Sequence, residues 1–462
     1  MQQATSERIP EPGRLAQAIA FVAEGLIERD ALARCLVLAA LCGEHVLFIG
    51  PPGTAKSELA RRMHRVIGGR YFERLLTRFT VPEELFGPLS LAALDEGRYE
   101  RDIDGYLPTA SIAFLDEVFK ANSAILNALL TLLNEREFDQ GALRIPVPLV
   151  SVVGASNEVP DDEALRAFLD RFLLRCPVAP VSDEAFERLL GRVDQPLGEG
   201  PRLAVPELAA AQQAGAAVVL GPQVHAALVS LRAFLKAQSI EVSDRRWVRL
   251  VRLLRIAAAA NGRQQVCPDD LWLLQFLVAE RPEQASLVED WVARLLGAGE
   301  RIDPQRLARI VQAFDQQVDL EQSATELAFD DSGKLALIQS LGGADGEAMS
   351  GAAPRMSAFS RRKRYSASHI RARIEQIDAV LLDVDDFLAQ AGSHARQTLE
   401  RLDANLWVAP RFARRVQTTL EANRCSVVEQ RAALARVREL FAVLPLADED
   451  DGRTPDPVEI AA

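Results

Sequence analysis

The chain has 462 residues, 48% hydrophobic and 26% charged, a profile that excludes disorder as its main state and gives room for two or three domains, each with its own core. A formal net charge of −12 disfavours a general basic surface for duplex nucleic acid. The five cysteines (Cys35, Cys42, Cys176, Cys267 and Cys425) are scattered without paired spacing, so neither a disulfide framework nor a zinc site is expected and a cytoplasmic, reducing compartment fits. The opening residues carry no apolar run of the signal-peptide kind. The longest uncharged stretch, 208–231, is broken by Gln212, Gln213 and Gly221-Pro222 and makes a poor membrane span.

Up to about Pro180, short apolar runs alternate with helical segments. Strands are expected at 46–49, 71–76, 112–115 and 149–153, and a helix at 57–66, where Leu59, Met63 and Val66 share a face. Strands alternating with helices over this length predict an α/β fold, a parallel sheet covered on both faces. From 181 to about 299 the strand runs give way to helical spacing, as at 225–237 and 247–260. Beyond 300 the chain stays helical except near 342–360, where glycines and serines lead into Arg361-Arg362-Lys363-Arg364 and a linker is expected. Ile370, Ile374, Ile377, Leu381, Val384 and Leu388 then form a heptad seam. Further helices at 399–420 and around 434–444 predict a three-helix antiparallel bundle, followed from Ala447 by an acidic tail expected to be disordered. The domains expected are therefore 1–182, 183–299 and 300–462, with a flexible loop near 330–366.

The chemistry begins at Gly50-Pro51-Pro52-Gly53-Thr54-Ala55-Lys56-Ser57, between an apolar strand and an amphipathic helix. Glycines let the backbone N–H groups and the positive end of the next helix face phosphates, Lys56 adds a point charge, and the Ser57 hydroxyl can ligate Mg²⁺. Ala55 stands where the second glycine of the G-x-x-x-x-G-K-[ST] pattern belongs. A Gly-Pro turn preceding Lys-Ser by chance is the bland alternative. Against it stands Ile112-Ala113-Phe114-Leu115-Asp116-Glu117, four apolar residues ending in two carboxylates, as where a buried strand emerges at the ligand-binding edge of a sheet. Asp116 is placed to hold Mg²⁺ through water and Glu117 to orient or deprotonate an attacking water.

GPPGTAKS, AFLDE, Gly154-Ala155-Ser156-Asn157 and Leu169-Asp170-Arg171-Phe172, in that order, resemble the signatures of AAA+ ATPases, and the AKS ending resembles the MoxR branch. FKANSAILNALLTLLNERE, VSDRRWVRLVRLLR and a C-terminal helical bundle are similar to its regulatory ATPase variant A (RavA) subfamily. The ATPase resemblance covers about 27–263. It implies an AAA+ αβα core with an all-helical lid, hydrolysing ATP with Mg²⁺.

Residue by residue, the resemblance implies that Asn157 contacts the γ-phosphate and lytic water. Arg171 is the arginine supplied to a neighbouring subunit, with Arg166 and Arg175 as flanking alternatives. Arg245 is the lid arginine that reports nucleotide state within its own subunit, with Arg246 as runner-up. Segment 26–29 lines the adenine pocket, and the stretch from Val81-Pro82 to Leu107 faces a central pore. Gly141 fits the turn of a further hairpin. The resemblance also implies a homo-oligomer, a hexameric ring, with a von Willebrand factor A (vWA) domain partner and a chaperone-like role. A nucleotide-gated scaffold with negligible turnover is the alternative, and Glu117 argues against it. A nucleic-acid motor is the weakest reading, because Arg361–Arg364 is the single basic run. The five isolated histidines, His45 among them, are expected in ordinary core or surface roles.

Overall fold

The computed structural model describes residues 8–160, 162–191, 197–297, 303–327, 337–338, 357–358, 360–450 and 452–459. They divide into two compact units, Met1–Leu296 with Thr398–Val416, and Gly297–Gln397 with Gln417–Ala462.

The first unit is built on five strands: β1 (Val46–Ile49), β2 (Tyr71–Leu75), β3 (Ile112–Asp116), β4 (Ser151–Ser156) and β5 (Leu174–Pro177), in the order β2-β3-β4-β1-β5. Every pairing is parallel, with Ile49 opposite both Ser156 and Pro177. An all-parallel sheet must be covered on both faces, which is why β1 and β4 are buried at every position. The four expected strands are present, the fourth displaced to 151–156. β5 was not anticipated, because Arg175 interrupts its apolar run; the guanidinium is buried against Asp170 and Glu280, at 3.7 and 3.4 Å. His45, just before β1, has the ordinary core role expected of it. Its Nδ1 accepts from Val152 N at 2.9 Å and its Nε2 lies 3.1 Å from Leu133 O, and burial pushes its pKa well below the usual histidine range.

Helices α1 (Pro12–Ala23), α2 (Asp30–Cys42) and α3 (Lys56–Ile67) pack on one another and on the sheet. The stretch after β2 forms two short helices, Pro82–Phe86 and Leu91–Asp95, and an antiparallel bridge from Leu89 to Arg101. The expected second hairpin forms as Glu137–Gln140 against Leu143–Pro146. Gly141 turns it at φ 63°, and a Cβ there would lie 2.3 Å from Tyr99 O, so only glycine lets the hairpin close on that stretch.

The lid is helical, with α4 (Val205–Ala217) and α5 (Asp244–Ala260) packed together, and one two-residue parallel pairing of Val219–Leu220 with Gln265–Val266. The chain returns to this unit at residues 398–416, the turn between two long helices, α7 (Ala367–Ala404) and α8 (Pro410–Ala442). Trp407 is fully buried there and its Nε1 donates to Ala257 O of α5 at 2.9 Å. Asn405 donates to Asp270 Oδ1 at 2.9 Å and accepts from Asn261 at 3.1 Å, while Arg263 chelates the Asp270 carboxylate at 2.9 and 2.5 Å.

In the second unit, α6 (Pro304–Ser323), α7 and α8 share one apolar cluster. Phe314, Ile377, Val384, Leu434 and Phe441 are buried in it, and Ile374, Leu381 and Leu388 of the heptad seam pack against it. The bundle thus has three helices, with a different division from that expected. The candidates at 399–420 and 434–444 are the end of α7, a turn, and parts of a single α8. Much of the 330–366 loop lies outside the described residues. Its described parts pair antiparallel, Thr325–Leu327 with Ser360–Arg362 and Leu337–Ile338 with Ser357–Ala358. The acidic tail does not show the expected disorder where it is described. Ala447 N donates to Tyr365 O at 2.8 Å, Ser368 Oγ to Asp450 at 2.5 Å, and Arg373 to Asp456 O at 2.7 Å.

Replacing Trp407 removes an aromatic side chain with no room to collapse and leaves the Ala257 carbonyl without that donor. Trp407→Ala is expected to cost about 3–5 kcal/mol of stability in denaturant unfolding followed by lid-domain fluorescence or hydrogen exchange. A loss under about 1 kcal/mol would mean that the turn does not hold to the lid in solution.

Candidate active site

The phosphate loop leaves β1 at its carboxyl end and runs into α3, so the helix amino end faces the loop. Gly50 passes so close to the segment after β5 that a Cβ would sit 2.0 Å from Val178 O; a side chain there would push the loop off the sheet. Ala55, the residue in the second glycine's place, has φ 66° and ψ 24°, left-handed values that a methyl group disfavours by about 1–2 kcal/mol. Lys56 Nζ donates to the carbonyls of Gly50 and Pro51 at 2.5 and 3.0 Å. Burial lowers the Lys56 pKa, and the carboxylates of Asp116 and Glu117 draw it back up.

β3 ends at Asp116 on the same edge of the sheet, and Asn157 follows β4 there. The Asp116 carboxylate accepts from Glu117 N at 3.0 Å, and Glu117 itself is left-handed, φ 52° and ψ 44°. Its carboxylate accepts from Asn157 Nδ2 at 2.7 Å and pairs with Lys120 at 3.3 Å. The structure therefore brings together Lys56, Asp116, Glu117 and Asn157. Strain of about 1–3 kcal/mol at each left-handed residue persists only where the surroundings over-determine it, as at sites that position a reacting group. A hydroxyl at Ser57 and a carboxylate at Asp116 are hard oxygen donors of the kind Mg²⁺ takes alongside nucleotide phosphates, so the donor set fits that ion. Among the described residues there is no cluster of three or more His, Cys, Asp or Glu that would hold a metal by itself.

The candidate arginines lie elsewhere. Arg171 and Arg245 line a polar cavity of about 230 Å³ with Arg136, Arg249 and Arg252, beside Glu44 and His45. These last two precede β1 whereas the phosphate loop follows it, so the cavity is at the amino edge of the sheet, about 13 Å of strand away. Arg245, expected to sense nucleotide within its own chain, lies in this structure at the edge opposite its own phosphate loop, because its helix α5 docks on the segment before β5. Arg245 is exposed and reaches Asn134 Oδ1 at 3.4 Å. Arg171 is half-buried, its Nε has no hydrogen-bond partner among the described residues, and burial together with Arg245 lowers its pKa. Arg136 is pushed down to about 10 by burial. Of the alternatives, Arg175 is buried in its ion pairs, Arg246 is buried on backbone carbonyls, and Arg166 is exposed on a separate cleft.

Two family models match this chain. One, described as the MoxR domain in MoxR-vWA-beta-propeller ternary systems, covers residues 13–197, and an AAA lid domain covers 223–292. Protein MoxR of Paracoccus denitrificans is 30% identical over 52% of this chain and 79% of its own length. The chain belongs to the MoxR family of AAA+ ATPases. Two uncharacterized proteins of Methanocaldococcus jannaschii are 42% and 43% identical over 53% and 51% of this chain, which spans 65% and 62% of their lengths. A protein of known structure from Cytophaga hutchinsonii, 17% identical, has the same fold at a TM-score of 0.50 over 62% of this chain and 94% of that one.

Within this MoxR-family site, Arg29 is a residue to which the motifs gave no separate role. It is buried just ahead of α2; its Nε donates to Thr54 O at 3.1 Å and its Nη2 to Ala179 O at 2.8 Å, tying the phosphate loop to the segment after β5. Neighbouring Glu28 binds the Ser182 N–H at 2.9 Å and its hydroxyl at 2.5 Å. The signal was the charged run Glu28-Arg29-Asp30 between apolar Leu26-Ile27 and Ala31-Leu32.

Ala55→Gly relieves the left-handed strain, about 1–2 kcal/mol, against about 0.4–1 kcal/mol of added freedom in the unfolded chain. The variant is expected to be more stable by up to about 1 kcal/mol in urea melts, with nucleotide affinity undiminished. Ala55→Val should lose stability and nucleotide affinity together, and a destabilised Ala55→Gly would overturn the strain reading.

Proposed function

We propose that the chain is the motor subunit of a ring-shaped, Mg²⁺-dependent ATPase that remodels protein partners, nearest to the RavA subfamily. The observation that carries this is the separation of the site's two halves. Loop 50–57, Asp116, Glu117 and Asn157 share the carboxyl edge of the sheet, whereas Arg171 and Arg245 converge on the amino edge. One chain cannot bring both to one phosphate, but head-to-tail contact of copies places the arginines of one against the loop of the next and closes into a ring.

In each shared site the loop N–H groups, the α3 amino end and Lys56 hold the β- and γ-phosphates in register. Ser57 and Asp116 would hold Mg²⁺, which when bound would supply positive charge against the phosphate oxygens. Glu117, oriented by Asn157, aligns the attacking water and receives its proton, and segment 26–29 lies against the base. The neighbour's Arg171 offsets charge that develops on the transferred phosphoryl group, with Arg245 beside it.

The family model's name supports a vWA-domain protein as partner, with a β-propeller protein as a third component. The RavA assignment is supported by the C-terminal helical bundle that α6, α7 and α8 form. A cytoplasmic location fits five free thiols, and among the described residues no helix is long and apolar enough to cross a membrane.

Lys56→Ala and Glu117→Gln should each lower ATP turnover by about 10²–10⁴-fold, and Arg171→Ala by about 10³-fold or more. Mixing Arg171→Ala with Glu117→Gln subunits should restore turnover above the sum of the two alone, read by phosphate release on rings sized by light scattering. Intact mixed rings without rescue would refute the shared site. Tight ATP binding with no turnover in the unaltered protein would establish the scaffold alternative.

A further inference from the structure

The segment that carries Arg171 ends a short helix, Glu163–Leu169, and leads into β5. Its N–H groups are used locally: Asp170 N donates to Arg166 O, Arg171 N to Phe168 O and Phe172 N to Leu169 O, at 3.0, 3.0 and 3.2 Å. Its carbonyls face a helix end, where backbone acceptors have no intrahelical donor.

All four carbonyls from 170 to 173 are taken by two guanidinium groups of lid helix α5. Arg249 donates to Asp170 O and Arg171 O at 3.1 and 3.2 Å. Arg246 donates to Phe172 O and Leu173 O at 3.2 and 2.6 Å. The two arginines are three residues apart and so share a helix face. Each has a further acceptor, the Glu44 carboxylate for Arg249 Nη2 and Leu277 O for Arg246 Nε, with Asp170 Oδ1 at 3.5 Å from Arg246. Arg246 is buried, so its guanidinium depends on this set of acceptors. Arg245, next to it in sequence, points instead into the cavity that Arg171 lines.

We propose that Arg249 and Arg246 are positioning residues for Arg171: they clamp the peptide that bears it to the lid, so that Arg171 and Arg245 are presented to the neighbouring subunit as one rigid pair. This rests on the reading of Arg171 as the residue supplied across the interface. A guanidinium is suited to the task because its fork spans two successive carbonyls, which a lysine ammonium cannot do with the same direction. The clamp acts on the site of the next chain and leaves its own phosphate loop untouched.

The test uses full-length rings. Arg249→Ala should lower ATP turnover by about 10–100-fold with the KM for ATP and the ring size unchanged, since binding is done at the opposite edge of the sheet. Arg249→Lys should recover part of the loss. Mixed with Glu117→Gln subunits, Arg249→Ala subunits should regain turnover, because their intact phosphate sites then receive a correctly held Arg171. In the Arg171→Ala background, Arg249→Ala should change nothing further. A merely structural role would lower the activity of the variant's own site, would not be rescued by mixing, and would add to the Arg171→Ala defect; any of these results overturns the proposal. If Arg249→Ala does not assemble, Arg249→Lys carries the same mixing test. Normal turnover for Arg249→Ala beside a defective Arg171→Ala removes the clamp alone, whereas normal turnover for Arg171→Ala removes the reading beneath it.

Discussion

The constraint on which the rest depends is the common direction of five strands. In a parallel sheet every carboxyl end lies on one edge, so residues that follow β1, β3 and β4 converge there whatever their distance in sequence. Gly50 to Ser57, Asp116, Glu117 and Asn157 are gathered by that geometry alone. The same rule sends everything that precedes a strand to the other edge. Glu44 and His45 ahead of β1, and Arg171 ahead of β5, lie together for the same reason. A phosphate-binding edge and an arginine-bearing edge are two consequences of one topology.

Local chemistry then sharpens each edge. At the carboxyl edge, left-handed Ala55 and Glu117 hold backbone conformations that the isolated chain disfavours, and the surrounding bonds keep them there: Lys56 on two loop carbonyls, Arg29 on a third, Asn157 and Lys120 on the Glu117 carboxylate. At the amino edge the order is reversed. Guanidinium groups are the common element and acceptors are few, with Glu44 committed to Arg249. Like charges brought together in a polar cavity raise the free energy of the isolated chain and make the edge receptive to an anion.

Much of this was legible in the sequence because buried strands are short continuous apolar runs and phosphate loops have little freedom of composition. β1 to β4, including the three strands that carry the site, were readable on those grounds. β5 was not, since Arg175 breaks its pattern, and only the ion pairs with Asp170 and Glu280, the latter 105 residues away, make a buried guanidinium tolerable. The helix boundaries beyond 367 were misread for a related reason. Residues 405–409 interrupt one long hairpin, and whether a turn docks on the lid through Trp407 depends on contacts with Ala257 and Asp270 that no local window contains. The motif at Ser243–Arg246 marks the start of an arginine-rich lid helix, but motif order carries no information on which edge of the sheet that helix meets. That required the bonds of Arg246 and Arg249 to a segment more than 70 residues upstream.

Those bonds also bear on how a nucleotide-driven motion can be transmitted. A lid turning freely about its own core would have to give up four hydrogen bonds between α5 and residues 170–173, and with them the acceptors of the buried Arg246. Leaving a buried guanidinium without acceptors is costlier than parting the exposed, water-compensated surfaces where chains would meet. In the proposed ring, the lid, the Arg171 segment and the turn that docks on the lid through Trp407 would then move as one body. In the proposed ring the lower-cost displacement lies between that body and the phosphate loop of the adjacent chain, which is also where the chemistry requires the change to be felt.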